Sequence, residues 1–152
     1  LIIIILAMVG YIIKKEFETI PMPFRCHGVT EYNIGDDNLD VMFNVNQDLR
    51  LEAHTRSVFL VRGHVLSGKE KYNLNRMFEL SGFQAIDKDT VTLKIDRIIK
   101  SETDNTPDTL FNIYRDEIIV EPKTLQLDIV HLRKGTWLIG NPLQFLYTCT
   151  RY

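Results

Sequence analysis

The chain has no surplus of positive charge. Its 18 lysines and arginines face 20 aspartates and glutamates, for a formal charge of -2, and no block of like charge occurs. A nucleic-acid-binding surface needs a basic stripe or an Arg/Lys-rich helix, so direct contact with DNA is not expected. Catalytic signatures are missing as well: the sequence holds no HExxH, CxxC, G-x-S-x-G, P-loop or G-x-G-x-x-G. His27, His54, His64 and His131 stand singly, without a carboxylate at ligand spacing, and read as scattered surface or strand histidines. Ser67-Gly68-Lys69 lacks the upstream glycine of a phosphate loop and falls between strands, so it reads as a hairpin turn. Asp36, Asp37 and Asp40 lack the twelve-residue calcium-loop pattern and read as solvated turn carboxylates. No cofactor is implied and no enzyme is expected.

Charge is also absent from the first thirteen residues, LIIIILAMVGYII, which run directly into Lys14-Lys15-Glu16. As a helix this stretch reaches roughly 20 Å against the ~30 Å hydrocarbon core of a bilayer. The chain begins at Leu1 rather than at a methionine, and the expectation is an upstream piece that completes the span. A cleavable signal peptide competes, but KKEFETIPMPF offers no pair of small residues for cleavage. The expected layout is a transmembrane anchor over 1–15, a tether over 16–23 and a periplasmic β domain over 24–152. That places the protein in a bacterial inner membrane, single pass, with its C-terminal domain exported. Lys14 and Lys15 then lie on the exported side, against the positive-inside trend, and call for basic residues upstream of Leu1.

Cysteine is scarce: there are only Cys26 and Cys149, one at each end of the domain. In an exported chain this pair reads as a disulfide tying the first strand to the last; in a cytoplasmic one it would read as two buried thiols.

After the anchor, about 135 residues remain, enough for one domain with a real core. Alternation marks strands over 24–34, with Phe24, Cys26, Tyr32 and Ile34 on one side, and over 39–45. Asn46-Gln47-Asp48 breaks the pattern, and 49–67 resumes as one long or bent strand with Gly63 at a bulge or a close backbone approach. Further strands are expected over 72–83, where Arg76 interrupts an apolar face, and over 90–101, where Val91, Leu93, Ile95 and Ile99 alternate with polar residues. Residues 117–121 and 125–133 read as another pair, followed by 136–140 and a last strand carrying Cys149. Residues 102–109 are loop-like, and 110–115 fit either a helical turn or an irregular strand. The fold class is therefore mainly β or α+β: a transmembrane helix, then an antiparallel β-barrel or sandwich of about eight strands with one short helix in or near 102–116. Such a barrel holds either a filled core or one apolar ligand, with Phe78, Leu80, Val91, Leu93, Ile95, Leu127, Ile129 and Trp137 as candidate lining.

Behind the apolar N-terminus, F-x-C over 24–26, V-x-G-x-V over 61–65 leading into YNLNRMFEL, and G-N-P-x-x-F-x-x-x-C over 140–149 carry a resemblance. The chain resembles the FidL-like family of small membrane proteins from enteric bacteria, and is similar in layout to the PsaF and MyfF accessory proteins. The resemblance covers nearly the whole chain, and the pair Cys26 and Cys149 matches the family pattern best. It implies a partner: a membrane-bound ToxR/CadC-like transcription regulator whose periplasmic sensor domain the protein stabilises or gates, a role like that of ToxS and VtrC. The alternative is a lipocalin-like module for a small amphipathic ligand such as a bile salt, alone or shared with the partner.

Overall fold

The computed structural model describes residues 3–8, 11, 20–36 and 38–152. Residues 3–8 and Tyr11 are helical and exposed, and among the described residues no helix is long and apolar enough to cross a membrane. Much of the expected anchor over 1–15, and residues 16–19 of the tether, lie outside the described residues.

Eight strands, each antiparallel to the next, close into a barrel in chain order. They are β1 (Phe24–Asp36), β2 (Leu39–Leu51), β3 (Ser57–Ser67), β4 (Glu70–Ala85), β5 (Thr90–Lys100), β6 (Thr124–Arg133), β7 (Thr136–Gly140) and β8 (Phe145–Arg151). One helix, α1 (Asp108–Ile118), follows β5. The barrel alternative is thus the observed one, and α1 resolves the open choice over 110–115. Two-residue periodicity explains the walls: Val41, Phe43, Val45, Gln47, Leu49 and Leu51 of β2 are fully buried, and the residues alternating with them are not.

Several local expectations are corrected. Asn46-Gln47-Asp48 does not break β2, because Gln47 is itself an inward residue, 0% exposed. The expected strand over 49–67 is two strands separated by 52–56, where Ser57 Oγ accepts a hydrogen bond from the Glu52 amide at 2.9 Å. Arg76 does not interrupt the inward face of β4 but belongs to it. On β5, Glu79 pairs with Arg97 and Leu80 with Ile95, leaving Asp96 as an extra residue. This bulge flips the phase, so Ile98 rather than Ile99 packs on the core. The strand expected over 117–121 is instead the end of α1 and a turn, with Glu121 bridging Thr124. Gly63 is a close approach: a Cβ there would collide with the Asn44 carbonyl oxygen.

Candidate functional site

The barrel interior is the natural place for a ligand, and α1 occupies it. Phe111, Tyr114 and Ile118 follow each other at helical spacings of three and four, and all three are buried. That spacing was readable in the sequence, but six residues of it were too few to separate helix from strand. The Phe111 ring lies 6.1 Å from Phe78 and the Tyr114 ring 5.6 Å from Phe43. Of the expected lining residues, Phe78, Leu80, Val91, Leu93, Leu127 and Ile129 are buried in the one core, with Ile95 and Trp137 half-buried against it. Trp137 stands edge-on to Phe24 with ring centres 5.2 Å apart. The gap left between Phe59, Ile118, Leu127 and Tyr147 does not admit a water-sized sphere. This is a packed interior.

Three polar devices hold α1 in place. At its start, the Arg76 guanidinium donates to Asp104 Oδ2 (3.0 Å), to the Thr106 carbonyl (3.1 Å) and to Asp108 Oδ1 (2.8 Å). It also lies 4.1 Å over the Phe111 ring. Arg76 holds the Asp108 carboxyl below its ordinary range, by hydrogen bond and by charge. In the middle, Tyr114 donates to Gln47 Oε1 at 2.8 Å, and Gln47 Nε2 donates to Tyr32 Oη at 3.1 Å. Tyr32 in turn donates to the Leu146 carbonyl at 3.2 Å. At the end, Asn141 Nδ2 donates to the Glu117 and Ile118 carbonyls, which the last turn of a helix leaves without partners. Asn141 Oδ1 also accepts from the Leu143 and Gln144 amides, so the Asn of the terminal G-N-P sequence ties α1 to the β7–β8 turn.

Burial pushes the hydroxyls of Tyr114 and Tyr147 well above the ordinary tyrosine value, and nearby tyrosines add to the shift. A pKa raised in the folded state keeps the native chain protonated after the unfolded chain has lost its proton. The stabilisation is therefore complete below about pH 10 and declines as pH rises further. In an alkaline titration followed at 295 nm, part of the signal of the six tyrosines is expected only together with loss of near-UV circular dichroism. Ionisation of all six near pH 10 with the fold intact would contradict this burial.

The β1–β8 seam is the least complete part of the wall. Cys26 pairs with Arg151 and His27 with Thr150, and the ladder stops there. The Tyr152 amide donates to the Arg25 carbonyl at 3.1 Å, and the Tyr152 hydroxyl donates to Asp48 while accepting from Arg50. The Cys26–Cys149 disulfide lies beside this short ladder, with both residues buried. Backbone groups alternate in direction along a strand, so those of residues 27, 29, 31, 33 and 35 point the same way as Arg25. From Val29 onward they meet no strand among the described residues. Val29 is 70% exposed, and Glu31 and Asn33 are exposed too. Alternation alone could not reveal this edge, because an edge strand and a central strand share the same pattern.

A family model described as "FidL-like putative membrane protein" matches residues 63–149, more than half of the chain. The chain belongs to the FidL-like family. The match in this FidL-like protein runs from the middle of β3 to Cys149, taking in Arg76, Asp104, α1 and Asn141, with β1 and β2 before it. No curated protein and no solved structure matches the chain. Among the described residues no three His, Cys, Asp or Glu side chains gather where they could hold a metal ion, and the four histidines are exposed.

Proposed function

We propose that this FidL-like protein is a membrane-anchored periplasmic accessory protein that binds the sensor domain of a membrane-bound, winged-helix transcription activator of the ToxR/CadC kind, and stabilises or gates it. In this reading 1–15 anchor the chain in the inner membrane, 16–23 tether it, and 24–152 form the exported domain. The role is one of binding, without catalysis. The observation that carries the proposal is the open edge of β1 over 29–35. Unpaired backbone donors and acceptors on an exposed strand add readily to a strand of another chain. Confinement of both partners to one bilayer raises their effective concentration, so a modest interface is well occupied. The segment after Pro107 is the helix α1, packed on the core through Phe111, Tyr114 and Ile118, and is not available for strand pairing.

The family's membrane description and the disulfide both favour an exported, anchored domain. A lipocalin-like ligand module is the second reading. The closed barrel is compatible with it, but α1 would have to withdraw to make room.

Glu31→Pro removes one amide hydrogen that faces the open side and none that the β1–β2 ladder uses, so the domain is expected to stay folded. Co-purification of the activator from membranes is expected to fall at least tenfold. A photo-crosslinking side chain at Val29 is expected to capture the exported domain of the activator. Undiminished co-purification from the folded Glu31→Pro variant would remove β1 from the interface; crosslinks only to unrelated proteins would remove the proposed role.

A further inference from the structure

A second open edge lies on the far side of the barrel. β6 pairs with β5 only from Thr90↔Asp128 to Lys94↔Thr124, and the last link across is the Ile95 amide to the Lys123 carbonyl at 2.9 Å. Residues 96–100 keep β4 on one side and, among the described residues, have no strand on the other. The Ser101 amide bonds Asn75 on β4, so by alternation Ile98 and Lys100 direct their backbone groups to the open side.

The end of α1 stands across this gap, and between them runs a groove of about 580 Å³. Ile95, Ile98 and Ile119 line it as half-buried residues, and Val120 and Leu143 rim it at 40% and 78% exposed. Lys123 joins the rim at φ 65, a left-handed conformation usual for glycine and uncommon for other residues. The other cations nearby are engaged: Arg115 with Asp116 and Asn112, Lys94 with Asp96. Lys123 has no ionic partner among the described residues, and its charge is left uncompensated.

An unpaired strand facing a helix across an apolar groove is the arrangement in which an extended peptide adds as one more strand while its side chains enter the groove. We infer that this groove binds one extended segment of a partner protein, which pairs with β5, places an apolar side chain among Ile98, Ile119 and Leu143, and sets an acidic group against Lys123. This site is independent of β1 and stands whether or not an activator docks there.

The test uses the full chain in detergent micelles and a set of fluorescent hexapeptides. They alternate threonine with one apolar residue type (valine, isoleucine, leucine or phenylalanine) and end in glutamate, and binding is read by anisotropy. At least one is expected to bind. Leu143→Glu, on the exposed rim, is expected to weaken it at least tenfold, as is N-methylation of alternate peptide amides. Lys123→Glu should weaken glutamate-ended peptides and restore binding to lysine-ended ones, whereas Glu31→Pro should change nothing. If no peptide prefers the native chain over Leu143→Glu, or if N-methylation has no effect, the inference fails. A lysine-ended peptide preferred by the native chain would overturn the acidic class of partner.

Discussion

Replacing both Cys26 and Cys149 with alanine is expected to lower the melting temperature of the domain by on the order of 10–20 °C. The disulfide joins residues 123 apart in sequence, so it ties β1 to β8 and closes nearly the whole domain into one loop. In the chain-entropy account a link of that reach stabilises by about 4–5 kcal/mol, by restricting the unfolded chain. The native side points the same way. The β1–β8 ladder is the shortest in the barrel, ending after His27↔Thr150, so few ladder hydrogen bonds hold first strand to last. Alanine is chosen because serine would bury a hydroxyl in an apolar place and add a separate penalty. Either single variant removes the same link and should melt close to the double variant. Dithiothreitol should reproduce the shift in the native protein and leave the double variant unmoved. Native protein that melts within about 3 °C with and without reductant would mean the seam is held by packing alone.

Strand alternation made the barrel walls legible because each wall residue answers only to its nearest neighbours. What alternation could not show is a polar side chain whose partner is far away. Gln47 looked like a break because its partners, Tyr32 and Tyr114, are 15 and 67 residues distant. Arg76 looked like an interruption because Asp104, 28 residues on, neutralises it inside the barrel. Both occupy inward positions of their strands, Gln47 in β2 and Arg76 in β4. The eight candidate lining residues were likewise placed on the core by their periodicity. Whether they enclosed a ligand or a filled core turned on three residues of α1, and that is a question of tertiary packing. The two open edges were also out of reach, since they depend on where a neighbouring strand stops: β8 against β1, β6 against β5.

The same buried charge supports the other large effect. Arg76→Met is expected to cost about 3–5 kcal/mol, because it takes the guanidinium partner away from the Asp104 carboxylate, whose side chain is 0% exposed. Asp104 keeps hydrogen bonds from the Asn75 and Thr106 amides at 2.9 Å, but no buried cation. The methionine also forfeits the contact over Phe111 and the bond to the Thr106 carbonyl. Asp104→Asn added to Arg76→Met removes the stranded charge and keeps an acceptor for one of the two amides, which bond different carboxylate oxygens, so it should recover part of the loss. The pair is thereby coupled in a double-mutant cycle. Asp108→Ala, whose carboxylate is 73% exposed, should leave the melting curve nearly unmoved. Because Arg76 holds the start of α1, hydrogen exchange in Arg76→Met should accelerate at 108–118 before it does in β2 and β3. A melting temperature within about 2 °C of native would show that Asp104 finds another counter-charge, for which Lys100, 3.9 Å away, is the nearest candidate.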